Sequence, residues 1–161
     1  MAEQTMETAM LGGGCFWCIE AVLERLEGVS KVVSGYAGGK SPNPSYERVS
    51  SGTTGHAEVV QVEYDPKQAS YKGLLDKFWS IHDPTTLDRQ GPDIGKQYRS
   101  VIFYHTLEQK KIALEERTKM GKSGKFRKTI VTEIAKAGEF WEAEEYHQRY
   151  LMKKGLNKCS I

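Results

Sequence analysis

A cysteine lies in a glycine-rich turn near the start of the chain, where residues 12–18 have the sequence GGGCFWC. Glycines let the backbone approach closely, and the first turn of a helix has unpaired N–H groups that can point at the Cys15 sulfur. This position favours a thiolate. Phe16 and Trp17 oppose charging because they exclude water, and the segment contains no Lys, Arg or His. We therefore expect the Cys15 thiolate to form only when a substrate arrives.

The second cysteine of this segment, Cys18, leaves several chemistries open. A free cysteine most often only packs in the core, but three flanking glycines are costly for mere packing. The Cys-x-x-Cys spacing is also typical of thioredoxin-like redox sites and of half a zinc site. Zinc would need two more ligands, and a cysteine hydrolase would need a histidine beside Cys15. The candidates for those roles are Cys159, His56, His82, His105 and His147.

A carboxylate lies at the start of a predicted strand over residues 57–64. The alternation of that segment places Glu58 on one face with Val60, Val62 and Tyr64. A glutamate on an apolar face has a raised pKa and can keep its proton at neutral pH, which suits a general acid. Composition favours the alternative of a solvated glutamate at the sheet edge. Both interpretations stay open at this point.

Apolar periodicity predicts the elements that position these side chains. A strand ends at Leu11, the glycine turn follows, and a helix then runs to Gly28. Further strands are predicted at 29–36, 57–64, 98–104 and 129–135, and further helices at 70–82 and 106–120. Two long loops, 37–56 and 83–97, lie between these elements. Loops of this length in a compact domain are more often functional than idle.

The order of the first six elements predicts the fold class. Strand, helix, strand, strand, helix, strand is the order of the ferredoxin-like split βαβ arrangement, here followed by an added helix and strand. We therefore predict an α+β two-layer sandwich. The length of 161 residues favours a single catalytic domain, 1–161. Residues 1–7 are predicted to be an N-terminal extension and residues 153–161 a mobile C-terminal tail.

Composition and charge exclude several classes of protein. The hydrophobic share of 39% excludes a disordered chain, and a net charge of +2 is too balanced for a dedicated nucleic-acid binder. The longest nearly apolar stretch, 11–19, is far shorter than the ~20 residues that span a bilayer, so we expect no membrane partner. The first ten residues do not resemble a signal peptide, and we expect a cytoplasmic location. Two nucleotide-binding motifs also fail. The glycine motif of dinucleotide-binding proteins has Trp17 in place of its third glycine, and the P-loop motif has Glu116 in place of its first glycine.

Five motifs in one register resemble those of the A-type peptide methionine sulfoxide reductases. They are GCFW at 14–17, GYAGG at 35–39, PSY at 44–46, TGHAEVV at 54–60 and QYRS at 97–100. The resemblance runs from about residue 11 to residue 151. It implies an enzyme that reduces methionine S-sulfoxide, both in oxidised proteins and as the free amino acid. It also implies no bound cofactor and recycling by thioredoxin, or by dithiothreitol in vitro, and we expect a monomer.

The same resemblance implies a role for each matching residue at the substrate. These are the nucleophile Cys15, the acid Glu58, the hydroxyl donors Tyr46 and Tyr98, the water-linked Asp93, and the methyl-pocket residues Phe16 and Trp17. The residue types suit the chemistry, because a sulfoxide sulfur is electrophilic only when its oxygen becomes a leaving group. A nucleophilic thiolate must therefore be paired with a proton donor.

The resemblance further implies that attack leaves Cys15 as a sulfenic acid, which a second thiol condenses with to form a disulfide. Cys18 lies one helical turn away, at a Cα separation of about 5 Å, but bridging requires that turn to distort. Cys159 lies in the predicted mobile tail. We predict that both act, with a Cys15–Cys18 bond forming first and then passing to Cys18–Cys159.

Overall fold

The computed structural model describes residues 6–154, which form a mixed α+β fold around a sheet of six strands. The strands are β1 (Glu7–Gly12), β2 (Val29–Ala37), β3 (Ala57–Tyr64), β4 (Arg89–Gln90), β5 (Asp93–Ile94), β6 (Val101–Tyr104), β7 (Glu133–Lys136) and β8 (Phe140–Glu142). The helices are α1 (Phe16–Leu23), α2 (Tyr46–Ser50), α3 (Tyr71–Ile81), α4 (Leu107–Lys122) and α5 (Tyr150–Lys153). Short 3₁₀ helices cover Lys96–Tyr98 and Glu145–His147. The α+β class predicted from the sequence is therefore confirmed.

The strand order of the large sheet is β7-β6-β1-β3-β2-β8, and β4 pairs with β5 in a separate hairpin. All pairs in the large sheet are antiparallel except β6 with β7, which is parallel. Strand β3 lies inside the sheet, between β1 and β2, and Glu58 of β3 stands opposite Tyr36 of β2. The carboxylate on β3 is thus far from either sheet edge.

Apolar side chains cover both faces of β3. Val60, Val62 and Tyr64 belong to the larger core cluster, which also contains the buried residues of α1 and α3. Ala57 and Val59 point to the opposite face and belong to a smaller cluster. The face that the alternation predicted is therefore confirmed, and Glu58 shares it with the larger core.

Side-chain hydrogen bonds cap the N-terminus of α4. The Thr106 hydroxyl accepts a hydrogen bond from the Gln109 N–H at 3.1 Å. The Gln109 side chain reaches back to the N–H of His105 at 2.8 Å, one residue before the cap. These bonds satisfy two donors at this helix start, which is why a polar sequence begins a helix here.

Several predicted boundaries are wrong, and tertiary pairing gives the reason. The strand predicted at 98–104 begins only at Val101, because a 3₁₀ turn closes with the Tyr98 N–H on the Gly95 carbonyl at 3.0 Å. The parallel partner of this strand, β7, was predicted to begin at residue 129. It begins at Glu133, which pairs with Val101. The short elements β4, β5, β8, α2 and α5 were not predicted, since pieces of two to five residues depend on their surroundings.

The two chain ends are only partly described. Glu7, the last residue of the predicted N-terminal extension, already pairs with Tyr64 in the sheet. Lys153, the first residue of the predicted tail, ends α5. Residues 1–5 and 155–161 lie outside the described residues, and so does Cys159. Among residues 6–154, the structure contains no helix that is both long and apolar enough to cross a membrane.

Candidate active site

Cys15 is the N-cap residue of α1, directly after the turn that ends β1. Gly14 has a φ of +86°, a backbone conformation that favours glycine, and its N–H donates to the Tyr98 carbonyl at 3.1 Å. A side chain on Gly13 would meet the His82 ring at 2.6 Å. The predicted order of strand, glycine turn and helix is confirmed, although α1 ends at Leu23 and not at Gly28. The turn brings Tyr98 beside the cysteine.

The Cys15 thiol is free and partly buried. Burial raises its pKa to about 12, and the Glu58 carboxylate adds to this rise. The N–H groups of Trp17 and Cys18 lower the pKa because they donate to the sulfur, but burial dominates. The thiol therefore stays protonated at neutral pH, in agreement with the expectation that a substrate must trigger thiolate formation.

Cys18 differs from Cys15 in its bonding. Cys18 is disulfide-bonded, whereas Cys15 is a free thiol. The disulfide therefore does not include Cys15. Cys15, the candidate nucleophile, therefore keeps a free thiol while Cys18 is oxidised.

Glu58 is a buried acid, with only 1% of its surface exposed. Its Oε1 accepts a hydrogen bond from the Phe16 N–H at 3.2 Å, and its Oε2 has no protein partner. Burial raises the pKa of Glu58 to about 8, the Phe16 N–H opposes this rise, and Asp93 adds to it. The carboxyl therefore holds a proton at neutral pH. The alternative of a solvated edge glutamate is wrong, because β3 lies inside the sheet.

The raised pKa of Glu58 predicts a pH-dependent cost to stability. The ordinary value is 4.5, so between about 4.5 and 8 the folded chain binds a proton that the unfolded chain has lost. The free energy of unfolding should consequently fall as pH rises through this window. A Glu58→Gln variant cannot ionise, and we expect its stability relative to wild type to rise by a few kcal/mol from pH 5 to pH 8.

Denaturant unfolding at several pH values measures this difference. The matched control is Glu63→Gln, an exposed glutamate on the same strand, which should follow the wild type at each pH. A stability difference between Glu58→Gln and wild type that does not change with pH would contradict the raised pKa.

The predicted site residues come together around one cavity of about 320 Å³. Eight of the nine predicted residues line it, and the ninth, Cys159, lies outside the described residues. The eight are Cys15, Phe16, Trp17, Cys18, Tyr46, Glu58, Asp93 and Tyr98. These eight residues come from the turn after β1, α1, α2, β3, the 83–97 loop and the 3₁₀ helix at Lys96–Tyr98.

Two tyrosine hydroxyls face this cavity from separate elements. Tyr46 is the first residue of α2, and Tyr98 ends the 3₁₀ helix that follows β5. Burial raises the pKa of both tyrosines, and the Glu58 carboxylate raises it further, so both remain O–H donors at neutral pH. The side-chain amide of Gln97 donates to the Ser50 carbonyl at 3.3 Å and links the two elements. The tyrosines are thus held in a fixed relation to each other.

Aromatic rings form the apolar side of the cavity. Phe16 is fully buried, and its ring lies 5.7 Å from that of Tyr36. Trp17 is partly exposed and stacks on Tyr150, with ring centroids 3.8 Å apart and planes 14° apart. A small apolar group in the cavity would therefore meet a rigid aromatic wall.

Two residues at the site were missed from the sequence. Gln90 and Pro92 line the cavity from the 83–97 loop, where loop length marked the segment but not the residues. His82 and His147 were named only among four candidate histidines. His82 lines the cavity, and its buried ring donates from Nδ1 to the Phe78 carbonyl at 2.7 Å. His147 contacts Trp17 from 130 positions away along the chain, and no local motif pointed to this contact. Among the described residues, no group of three or more His, Cys, Asp or Glu side chains could hold a metal ion.

Comparison with known proteins decides the family. The family model for peptide methionine sulfoxide reductase matches residues 7–161. The chain belongs to this family. The resemblance predicted from the five motifs is thereby confirmed, and this methionine sulfoxide reductase is an oxidoreductase.

Relatives of this reductase match along most of their length. It is 56% identical over 161 residues to peptide methionine sulfoxide reductase MsrA of Methanothermobacter thermautotrophicus, covering 100% of this chain and 95% of the relative. It is also 56% identical over 155 residues to the MsrA of Geobacter metallireducens, covering 96% of each chain. The A-type assignment rests on these relatives.

Solved structures agree with the fold of this reductase. Mxr1 of Saccharomyces cerevisiae in reduced form has a TM-score of 0.86 at 39% identity, covering 96% of this chain and 88% of that chain. The same yeast protein has also been solved in complex with Trx2, with a TM-score of 0.59 at 29% identity over 92% of this chain and 87% of that chain.

Proposed function

We propose that this chain reduces methionine S-sulfoxide through attack of Cys15 on the sulfoxide sulfur, with Glu58 as the proton donor. The observation that carries the proposal is that a free thiol and a buried, protonated carboxyl line one cavity. A sulfoxide needs both partners, because its oxygen must accept a proton before the sulfur can be attacked efficiently. The family reaction and the cavity chemistry therefore agree.

The remaining cavity residues orient the substrate in this proposal. Tyr46 and Tyr98 donate hydrogen bonds to the sulfoxide oxygen, and Asp93 takes part through water. Phe16 and Trp17 pack against the methyl group. A polar end of hydroxyl donors and an apolar aromatic end match the two sides of a methyl sulfoxide. This arrangement supports selection of one epimer, since exchanging the oxygen and the lone pair on sulfur would misplace the oxygen, and the preference for the S epimer comes from the family resemblance.

The proposed chemical step balances within the site. Glu58 gives its proton to the sulfoxide oxygen, Cys15 gives its own proton to Glu58, and the thiolate supplies the electron pair that the sulfoxide sulfur gains. Attack joins the Cys15 sulfur to the substrate sulfur. The S–O bond of the substrate and this S–S bond then break as the oxygen is transferred to Cys15. Methionine leaves, and Cys15 becomes a sulfenic acid. Because the Glu58 charge opposes the thiolate, protonation of Glu58 and activation of Cys15 are coupled.

Recycling proceeds in this proposal through disulfides. Cys18 condenses with the sulfenic acid of Cys15 and releases water, and thiol–disulfide exchange then passes the bond to Cys18–Cys159. The dithiol of a thioredoxin reduces that bond. A Cys18 disulfide that does not include Cys15 supports the second of these two bonds. The yeast relative solved in complex with Trx2 supports thioredoxin as the reductant.

Other parts of the proposal rest on the sequence and the family. Free methionine S-sulfoxide is a substrate beside oxidised proteins, and the chain binds no cofactor. The chain is one catalytic domain, monomeric and cytoplasmic. The antiparallel order β6-β1-β3-β2, with α1 and α3 as crossovers, supports a ferredoxin-like centre to which α4 and β7 are added.

Separate assays of the two sulfoxide epimers test the proposed function. With dithiothreitol as reductant, we expect the chain to consume methionine S-sulfoxide. The R epimer should react at least about 10²-fold more slowly, because its oxygen and lone pair are exchanged and its oxygen would miss the proposed donors. The product is measured as methionine by chromatography. Equal rates for the two epimers, or no methionine from the S epimer, would overturn the proposal.

A further inference from the structure

The indole ring of Trp17 is held by a residue that lies outside the cavity lining. Its Nε1–H donates a hydrogen bond to Nδ1 of His147 at 3.1 Å. The indole also stacks on the ring of Tyr150. Since Trp17 is only partly buried, these two contacts fix the orientation of its ring. The hydrogen bond comes from a side chain 130 positions away.

His147 itself cannot move freely. Only 1% of its surface is exposed, and three aromatic rings pack around it in addition to Trp17. Their centroids lie 5.3 Å away for Phe16, 4.5 Å for Tyr46 and 4.1 Å for Tyr146. The His147 ring is therefore a rigid support.

Glu144 anchors the segment that carries this histidine. Its carboxylate accepts hydrogen bonds from the Tyr36 hydroxyl at 2.9 Å and from the Tyr46 N–H at 3.1 Å. Its carbonyl accepts from the His147 N–H at 2.9 Å. Gln148 fixes the other side through a pair of bonds with the backbone of Ser34, each 2.9 Å long. The support is thus tied to both β2 and α2.

A histidine at this position has a cost that packing alone does not explain. Because Nδ1 accepts from the indole, the ring proton is on Nε2, and Nε2 is buried without a protein partner. An unpaired buried donor destabilises a protein, and a phenylalanine of similar shape would avoid that cost. The feature that histidine adds to packing is the acceptor at Nδ1.

We propose that His147 is a positioning residue that holds the Trp17 indole in place and thereby strengthens binding of the sulfoxide substrate. This inference rests on the proposed function, in which Trp17 forms a wall for the methyl group. A ring that is fixed before the substrate arrives does not lose rotational freedom on binding. His147 acts on substrate affinity, while Cys15 and Glu58 act on the chemical step.

The test compares His147→Phe with His147→Asn in single-turnover assays with methionine S-sulfoxide. His147→Phe keeps a ring of similar size but removes the acceptor, and we expect the half-saturating substrate concentration to rise about fivefold while the maximal rate stays within about twofold. His147→Asn keeps an acceptor near the Nδ1 position, and should recover part of the lost affinity. An unchanged half-saturating concentration in His147→Phe would overturn the proposal.

Trp17→Phe removes the donor of the same hydrogen bond and tests the pair from the other side. We expect the double variant with His147→Phe to bind substrate no more weakly than Trp17→Phe alone, because the interaction is already absent. If His147→Phe fails to fold, His147→Leu, which also removes the acceptor, replaces it in the double variant. Fully additive losses of affinity would overturn the proposal.

The indole N–H signal gives a readout that general packing would not move. The chain has three tryptophans, and the Nε1–H resonance of Trp17 is the one that disappears in Trp17→Phe. In His147→Phe that resonance should shift upfield and exchange faster with solvent, and in His147→Asn it should stay closer to wild type. An unshifted Trp17 resonance in His147→Phe would contradict the positioning role.

Trp17→Ala separates the two levels of the proposal. A normal half-saturating concentration in Trp17→Ala would mean that the proposed methyl wall is wrong, and the role of His147 would fail with it. Weak binding in Trp17→Ala together with normal binding in His147→Phe would leave the proposed function intact and overturn the positioning role alone.

Discussion

Replacement of Cys15 by serine should abolish sulfoxide reduction, with a loss of about 10⁴-fold or more in the rate of methionine formation. A hydroxyl in the same place is a far weaker nucleophile than a thiolate, and the nearby Glu58 carboxyl is an acid that cannot activate it. Burial of the site, which raises the pKa of the Cys15 thiol to about 12, would oppose an alkoxide still more. Methionine released in a single turnover, without added reductant, measures this loss.

The other two cysteines provide the matched controls. Cys18→Ser and Cys159→Ser should each release the first equivalent of methionine at close to the wild-type rate, because the first step needs only the attacking thiolate. Both variants should then turn over poorly with thioredoxin. Loss of the first equivalent in either variant would contradict the proposed division between attack and recycling.

Glu58→Gln should slow the single-turnover rate by about 10²-fold or more, the scale of a lost general acid. The amide has nearly the same shape and keeps an oxygen that can accept from the Phe16 N–H. Folding should therefore survive, and circular dichroism checks that it does. A wild-type rate in Glu58→Gln would mean that the buried carboxyl has no part in the chemistry.

The pH profile of the same reaction identifies the acid. Because the pKa of Glu58 is raised to about 8, the donor loses its proton as pH rises through that value. The ionised carboxylate also raises the pKa of Cys15. We expect the wild-type single-turnover rate to fall above about pH 8, and the slow Glu58→Gln rate to lack this fall. If the rates of both proteins fell above the same pH, the fall would come from the titration of a group other than Glu58.

Local patterns were enough to predict the turn that holds Cys15 and the strand face that holds Glu58. The glycines before Cys15 predicted a turn into a helix, because glycine suits a positive φ and close contact, and Gly14 adopts a φ of +86°. The alternation of residues 57–64 placed Glu58 on an apolar face, which β3 confirms. Both signals are local, since a turn or a strand face is defined within a few residues.

Properties that depend on strand order were beyond the sequence pattern. Whether Glu58 was a solvated edge residue or a buried acid depended on β3 lying between β1 and β2. The contact between Trp17 and His147 joins distant parts of the chain, so no spacing could reveal it. The boundary at Val101 was likewise set by a 3₁₀ turn that competes with the strand. Tertiary contacts overrode local propensity in each case.

Chemical trapping of the oxidised cysteine tests the proposed attack most directly. A variant with both Cys18→Ser and Cys159→Ser would receive one equivalent of methionine S-sulfoxide, followed by a reagent that traps sulfenic acids and by peptide mass spectrometry. We expect one methionine per chain and the trapped group on the peptide that contains Cys15, in equal amount. Methionine formed while Cys15 remains an unmodified thiol would contradict its role as the nucleophile.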